Sequence, residues 1–445
     1  MDTTKSLPPS TANFWMNLLA LAFFFATMFI FHKTFPQTTF VQLTMACLLT
    51  TAIPLWFYDF LYLRVHQRPS TGLAQKPGKV DRHRLVVKLI GLYGTFLIIL
   101  IVYHLILGYH ISIHAPFYNS FFYFLNFTAP WIMILSFIYF REVDRRQKDP
   151  YDEYWHMGCL LTGRFQNVRM LFIKEHARVW FIKAFFTPFM FAMLVDRVEY
   201  LLAFDWKHQS SFFIPLYNYL LTLFYTIDIL YGVLGYILTC RLLDTHIRST
   251  EPTFLGWVVC LVCYQPFYSH FGIGLLNYDD HLNWYHWFAF FPGFYYLCGA
   301  LIIFLSLVYC LATVAIGYRM SNLTFRGIIT SGPYRFTKHP AYLSKVASWW
   351  LISLPFLSVE GVGIAFHHTL NLSLITFIYY LRARTEENHL SNYPEYVQYA
   401  NGIKEQGLFR FITKHFPALQ YSEEKCKRWK SVVWFKSKNF TLTKS

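Results

Sequence analysis

The chain has 445 residues, of which 55% are hydrophobic, 21% aromatic and only 14% charged, with a formal net charge of +15 and a mean hydropathy of +0.32. A soluble chain of this length would divide into two or three domains. This composition excludes that class, because apolar runs repeatedly reach the roughly 20 residues needed to cross a bilayer core. The eight cysteines fall mostly inside apolar runs, which argues against a disulfide framework.

The expected fold is therefore all-α, a polytopic membrane helix bundle of about ten transmembrane helices with both termini cytoplasmic. Met1–Asn13 is polar, and the run after it lacks a small-residue cleavage site, so Phe14–Phe31 reads as a first spanning helix and not as a removed signal peptide. Phe40–Leu63, Leu85–Leu107, Phe121–Phe140, Val179–Phe204, Phe212–Cys240, Phe254–Leu276, Trp287–Gly317, Ala341–Leu357 and Val362–Leu381 follow. Threading these alternately puts every lysine and arginine except Lys33, Arg197 and Lys207 on one side, in the N-terminus, 64–88, 141–183, 241–253, 318–345 and everything from 382 onward, which include the adjoining span ends. Positive charge stays on the cytoplasmic side, so the basic balance implies membrane sidedness and needs no nucleic-acid partner.

Between the spans, the 64–84 segment, with Pro69, Pro77 and several basic residues, predicts a flexible connector near anionic headgroups. The 141–178 segment opens with mixed charge and predicts either a short helix over the cytoplasmic face or a solvated charged loop. His110, His114, His281 and His286 sit in the opposite loops, where interfacial anchoring is expected in preference to a metal site. Cys260 and Cys263 form a CxxC with no second pair, and read as buried helix-face residues. Asp196, Arg197, Glu199 and Asp228 lie inside predicted spans, where charge is costly unless paired. Asp228 is read equally as lining a substrate cavity or as holding a structural partner. No Rossmann glycine signature occurs, since Gly272-Ile-Gly274 has no strand before it. After Leu390, Tyr393-Pro-Glu-Tyr-Val-Gln-Tyr399 predicts a short helix. The tail, with Lys425, Lys427, Arg428, Trp429, Lys430, Trp434 and Phe435, suits a membrane surface.

The most informative stretch is Ser331-Gly-Pro-Tyr-Arg-Phe-Thr-Lys-His-Pro-Ala-Tyr342, followed beyond a hydrophobic hairpin by Arg382-Ala-Arg-Thr-Glu-Glu-Asn-His-Leu390. The short Ser358–Gly361 turn makes the two hairpin helices antiparallel, which brings His339 and Tyr342 close to Arg382 and Glu386. Gly332 and Pro333 force a turn. Pro340 suits a first helical turn, whose unpaired N–H groups can receive a carboxylate. Arg382 and Glu386 stand four apart on one helix face.

These paired motifs resemble those of the integral membrane methyltransferases typified by isoprenylcysteine carboxyl methyltransferase, a group that includes phospholipid N-methyltransferases. The resemblance covers about residues 318–400. It implies S-adenosyl-L-methionine as cofactor, held by Tyr334, His339, Pro340, Tyr342 and Glu386, with Gly332 in the motif turn and Ile328 and Ile329 nearby through their backbones. It further implies a lipid or lipid-linked methyl acceptor faced by Arg382, with Glu387 supporting Arg382 or Arg384. Lys338 stands where the family pattern has arginine; charge is kept but a bidentate hydrogen bond is lost. No general base stands out, which favours a carboxylate acceptor.

Domains follow as an eight-helix body at 1–317 with a possible acceptor cavity, a methyltransferase-like core at 318–402 and a basic aromatic tail at 403–445. Two other readings are open to the same residues. A sterol-type reductase shares an Arg-His-Pro/Asn-x-Tyr element but binds NADPH, and Glu386-Glu387-x-x-Leu390 with Ser-Gly-Pro-Tyr fits it less well. A transporter or lipid-binding protein is motivated by Asp228.

Overall fold

The structure, a computed structural model, describes residues 7–110, 115–207, 209, 211–269, 276–416, 420–424 and 426, with side chains left aside at 106–110, 115 and 116. The expectations for His110's side chain, His114, Gly272-Ile-Gly274 and the tail residues Lys425, Lys427, Arg428, Trp429, Lys430, Trp434 and Phe435 lie outside what is described.

Fourteen α-helices occur among the described residues, and the only paired strands are a two-residue ladder. Eight helices are long and apolar enough to cross a membrane, the architecture of an integral membrane protein. The chain divides into two compact units. One comprises Ala12–Thr250 and Ile316–Arg326, the other Met1–Thr11, Glu251–Ala315 and Gly327–Ser445. The unit that holds the 331–342 motif also takes in the chain from 251 to 315.

The first unit contains α1 (Phe14–Thr34), α2 (Phe40–Phe57, continued by a π-helical turn over Tyr58–Tyr62), α3 (Arg82–His110), α4 (Ala115–Asp144), α5 (Glu153–Leu161), α6 (Met170–Ala203) and α7 (Phe213–Ile237). Side chains start these helices where the sequence offers them. Asn13 accepts from the N–H groups of Trp15 and Met16, and Thr39 and Gln42 form a reciprocal box at α2. Only 6% of the apolar stretch of α4 is buried, against 67% of that in α7. Residues such as Trp131, Ile134, Leu135 and Ile138 are exposed, which is tolerable against hydrocarbon and not against water. Asp228 is half-buried in α7. Asp196, Arg197 and Glu199 lie in the last turns of the 34-residue α6, with Asp196 and Glu199 exposed. At ~1.5 Å per residue that helix outruns the membrane, so these charges stand at its end and not at mid-depth.

Of the two expectations for the 141–178 segment, the short helix is the one found: α5 packs hard against α3. An added Cβ at Gly158 would lie 1.9 Å from the Val87 carbonyl oxygen, and one at Gly91 would lie 2.1 Å from that of Tyr154. Glycine alone permits this approach. Lys88, fully buried, bonds Asp144 at 3.0 Å and Asp152 at 3.2 Å, while Arg84 makes paired 2.8 Å bonds to Asp144. Asp152 also caps α5 through the Trp155 N–H. The 64–84 segment, expected as a flexible connector, is instead tied to this edge. Ala74 N donates to Arg146 O and Gly78 N to Arg145 O, both at 2.6 Å, and Lys148 N donates to Gly72 O at 3.0 Å.

A second polar knot closes the unit. Antiparallel β1 (Ser249–Thr250) and β2 (Thr324–Phe325) pair Ser249 with Phe325 and Thr250 with Thr324. Glu175 receives Thr250 through both its N–H (2.7 Å) and its hydroxyl (2.9 Å). Buried Arg319 donates to the carbonyls of Asp244 and Arg326, and buried Arg326 donates to those of Thr245, Gly235 and Met320. Tyr318 donates to buried Asp59 in the π-helical turn. His246 is pushed down to about 2 by burial, then by the charges of Arg241, Arg248, Arg326 and Arg319.

The second unit contains α8 (Phe254–Leu261), α9 (Trp284–Trp287), α10 (Pro292–Ile316, whose last residue passes into the first unit), α11 (Pro340–Ser353), α12 (Val362–Leu390), α13 (Pro394–Gln406) and α14 (Arg410–His415). Two expected spans are shorter than expected. Within Phe254–Leu276 the chain turns after the eight-residue α8, with 270–275 outside the described residues, and Ala341–Leu357 forms the 14-residue α11. At ~1.5 Å per residue, α11 is well short of a ~30 Å core. Leu354 in the left-handed conformation (φ 43°) stops it, just before Pro355.

Three outcomes are expected. Gly158→Ala should lower the thermal midpoint of the detergent-purified protein by several degrees, since overpacking costs about 1–3 kcal/mol. Gly293→Ala, where an added Cβ meets nothing within 4 Å, should leave it unchanged. For His246 the folded value lies below the unfolded ~6.5. Its contribution is therefore complete above pH ~6.5 and is lost as pH falls below that, with a slope of up to about 1.4 kcal/mol per pH unit. Melting curves between pH 7.5 and 4 should fall less steeply in His246→Gln than in wild type.

Candidate functional site

The site forms where α11 begins and α12 ends, entirely within the second unit. Ser331-Gly-Pro turns sharply: Gly332 has φ +58°, a backbone region that residues with a Cβ disfavour. Pro340 occupies the first turn of α11. His339 is the N-cap residue, yet its side chain does not cap the helix; it turns towards Glu387.

Glu387 is 3% exposed and is surrounded by cations. Lys338 donates to Oε1, His339 Nε2 lies 3.1 Å from the same oxygen, and Arg384 NH1 donates to Oε2 at 2.8 Å. The Lys338 ammonium also sits 5.0 Å from the Tyr421 ring centre. A buried carboxylate with three basic partners binds the motif loop to α12. The sequence expectation that Glu387 supports Arg384 agrees with this geometry. Both Glu387 oxygens are taken up by these partners.

Glu386, its neighbour, is exposed and accepts the Tyr342 hydroxyl at 3.1 Å. The His339 and Tyr342 rings stack, with centroids 5.7 Å apart and planes within 5°. Arg382, only 7% exposed, lies over three tyrosine rings: Tyr342 and Tyr379 at 5.1 Å and Tyr264 at 5.7 Å. Its NH2 approaches the Cys260 sulfur at 4.0 Å. The hairpin thus brings His339, Tyr342, Arg382, Glu386 and Glu387 together.

The remaining expected residues are placed differently. The Ile328 carbonyl is occupied, accepting both the N–H and the hydroxyl of Thr11 at 2.9 Å. Thr330 donates to Pro8 O at 2.8 Å, and the Ser10 and Ser331 hydroxyls lie 3.3 Å apart. The chain at 8–11 is therefore a strap over 328–331, and Ile329 lies half-buried beneath it. The Tyr334 carbonyl accepts from Tyr399 at 2.8 Å, and the same hydroxyl reaches Thr337 O at 3.3 Å. Burial pushes the Tyr399 hydroxyl well above its ordinary range, so it remains a donor. Leu408 N adds a bond to Phe336 O at 2.8 Å. The loop is held on both sides by segments distant in sequence, and no local signal announces either.

Beside Arg382 lies a partly open cavity of about 280 Å³, lined by Val262, Cys263, Trp349, Ile375 and Tyr379 among others. Tyr379 belongs both to this wall and to the Arg382 cage. The Trp350 indole donates to Thr376 at 3.0 Å and locks α11 to α12 behind it. Sequence reading did not single out Tyr264, Tyr379 or Lys345; their one available signal was an aromatic or basic residue within an otherwise aliphatic run. Cys263 lines the cavity and Cys260 meets Arg382, so the CxxC contributes to the site wall. His281 is largely exposed near Asp279, and His286 accepts the Asn283 N–H at the start of α9. Among the described residues no group of three or more His, Cys, Asp or Glu is arranged to hold a metal ion.

No protein-family model, curated protein or solved structure matches this chain.

The two adjacent glutamates should separate in a stability measurement. Glu387→Ala leaves three basic groups around a vacated buried site and should destabilise by about 3–5 kcal/mol, read as a marked drop in thermal midpoint. Glu386→Gln should melt as wild type does.

Proposed function

We propose that the chain is an S-adenosyl-L-methionine-dependent integral membrane methyltransferase, acting on a membrane-embedded or lipid-linked acceptor, with a carboxylate favoured. The observation that carries the reading is the convergence of His339, Tyr342, Arg382 and Glu386 at the open end of the α11–α12 hairpin, with Glu386 exposed while Glu387 is wholly engaged.

These residues suit the proposed cofactor. Glu386 is a carboxylate for an ammonium or ribose hydroxyl, and Tyr342 orients it. The stacked His339 and Tyr342 rings offer an aromatic surface. The first N–H groups of α11 have no side-chain cap and carry the positive end of the helix dipole, suited to a carboxylate. When bound, the cofactor supplies an electrophilic methyl group on a sulfonium. The protein's own task is orientation and exclusion of water. Arg382, fixed over its tyrosines, orients an anionic acceptor, and the adjoining cavity shelters that acceptor's apolar part. Lys338, His339 and Arg384 hold their positions through Glu387, so the loop is preorganised before any ligand enters.

We further propose that the basic segments, both termini and this site face the cytoplasm, the side favoured for positive charge. That sidedness requires the chain to cross at 254–276 and 340–357, where the helices are short. Irregular backbone at such depth is tolerated only where protein buries it.

The test is equilibrium binding of radiolabelled S-adenosyl-L-methionine and of NADPH to purified wild-type protein and to Glu386→Ala. Saturable S-adenosyl-L-methionine binding, weakened at least tenfold in Glu386→Ala with the fold retained, is the expected result. Saturable NADPH binding with none of S-adenosyl-L-methionine would replace this reading with a reductase.

A further inference from the structure

The surface of the second unit changes character abruptly after α13. That helix buries Tyr396, Tyr399, Ala400 and Ile403 and exposes Asn401, Lys404, Glu405 and Gln406, the division of a helix with one face in water. Beyond Gly407 the exposed residues are apolar. Leu408 is 67% exposed, Phe411 65% and Phe416 61%, and Phe409 and Ile412 are exposed with them. Arg410 and Lys414, both exposed, stand four apart on one face of α14. No acidic residue occurs from 407 to 416.

Where this segment sits follows from what holds it. The Leu408 N–H donates to Phe336 O at 2.8 Å, in the loop whose Lys338 and His339 bond Glu387. Glu387 lies fewer than two helical turns past Leu381, where the apolar run of α12 ends. The segment is therefore held at the level where that helix passes from hydrocarbon to water. Five large apolar side chains exposed together mark a contact surface. A second copy of the chain would set basic residues against basic residues, which opposes that pairing. An anionic bilayer surface satisfies both halves, since acyl chains accept the rings and lipid phosphates accept the cations.

We infer that the 408–416 segment is an in-plane anchor in the membrane–water boundary, with its phenylalanines among the acyl chains and Arg410 and Lys414 against anionic lipid headgroups. At six residues, α14 is far too short to cross the bilayer, so it lies on the membrane and does not span it. The anchor is independent of the methyl-transfer reading, because it rests on exposure, charge and the Leu408–Phe336 bond alone.

The experiment uses the full chain in nanodiscs of phosphatidylcholine alone and of equal parts phosphatidylcholine and phosphatidylglycerol. Both contain a trace of phosphatidylcholine with a diazirine near the carbonyl end of one acyl chain, and labelled peptides are mapped by mass spectrometry. Labelling of 407–416 at least fivefold above that of 394–406 is expected, rising at least twofold further when phosphatidylglycerol is present. Phe411→Ser with Ile412→Ser should lower the 407–416 signal at least fivefold. Labelling of 366–377 on α12, where Phe366 and Phe377 are exposed, should not change, which shows that the variant is folded and inserted. Arg410→Gln with Lys414→Gln should remove the gain from phosphatidylglycerol while labelling in phosphatidylcholine persists. Labelling of 407–416 no stronger than that of 394–406, crosslinks from it to a second copy of the chain in place of lipid, or equal labelling in the two kinds of disc would each overturn the inference.

Discussion

A single buried carboxylate, Glu387, organises the second unit where α11 begins and α12 ends. An ionised carboxylate taken out of water is costly unless its neighbours replace the lost hydration. Lys338, His339 and Arg384 do so from three directions. Two of those partners precede α11 and one lies on α12, so satisfying the charge also fixes the start of one helix against the end of the other. The stacked ring of Tyr342, the exposed carboxylate of Glu386 and the caged guanidinium of Arg382 are placed by that closure. The adjacent glutamates have opposite fates because successive helical positions point about 100° apart. One faces the loop and the other faces outward.

Support for the loop comes from further away. The 8–11 strap, the Tyr399 hydroxyl and the Leu408 N–H use the loop's backbone carbonyls. A backbone that is neither helix nor strand must find such partners or water. Here, partners from both ends of the described chain supply them. That explains how a segment with only short 3₁₀ turns presents side chains in fixed positions.

The first unit follows the same logic with different chemistry. Its charged groups are concentrated where α5 meets α3 and where the 316–326 segment meets 241–250. At the first, Asp144 and Asp152 pair with Lys88; at the second, Asp244 pairs with Arg248 while Arg319 and Arg326 donate to backbone carbonyls. Glycines at 91 and 158 allow backbones to approach where no side chain would fit. Apolar surface is left on α4, where hydrocarbon accepts it.

The sequence by itself determined the helical membrane class, because length, hydropathy and the absence of charge over whole runs are local properties read directly by the bilayer. It also determined which polar cluster on each side of the hairpin would meet, since a short turn between two helices leaves one arrangement. Tertiary structure decided the rest. An apolar run at 341–357 does not say whether lipid or protein buries it, and α11 proved too short to span alone. Two neighbouring glutamates are equivalent in composition, and only the position of Lys338 and His339 in space distinguishes Glu387 from Glu386. The cage around Arg382 and the cavity bearing Lys345 draw residues from 260 to 382, a convergence set by packing and without a periodic signature in the chain.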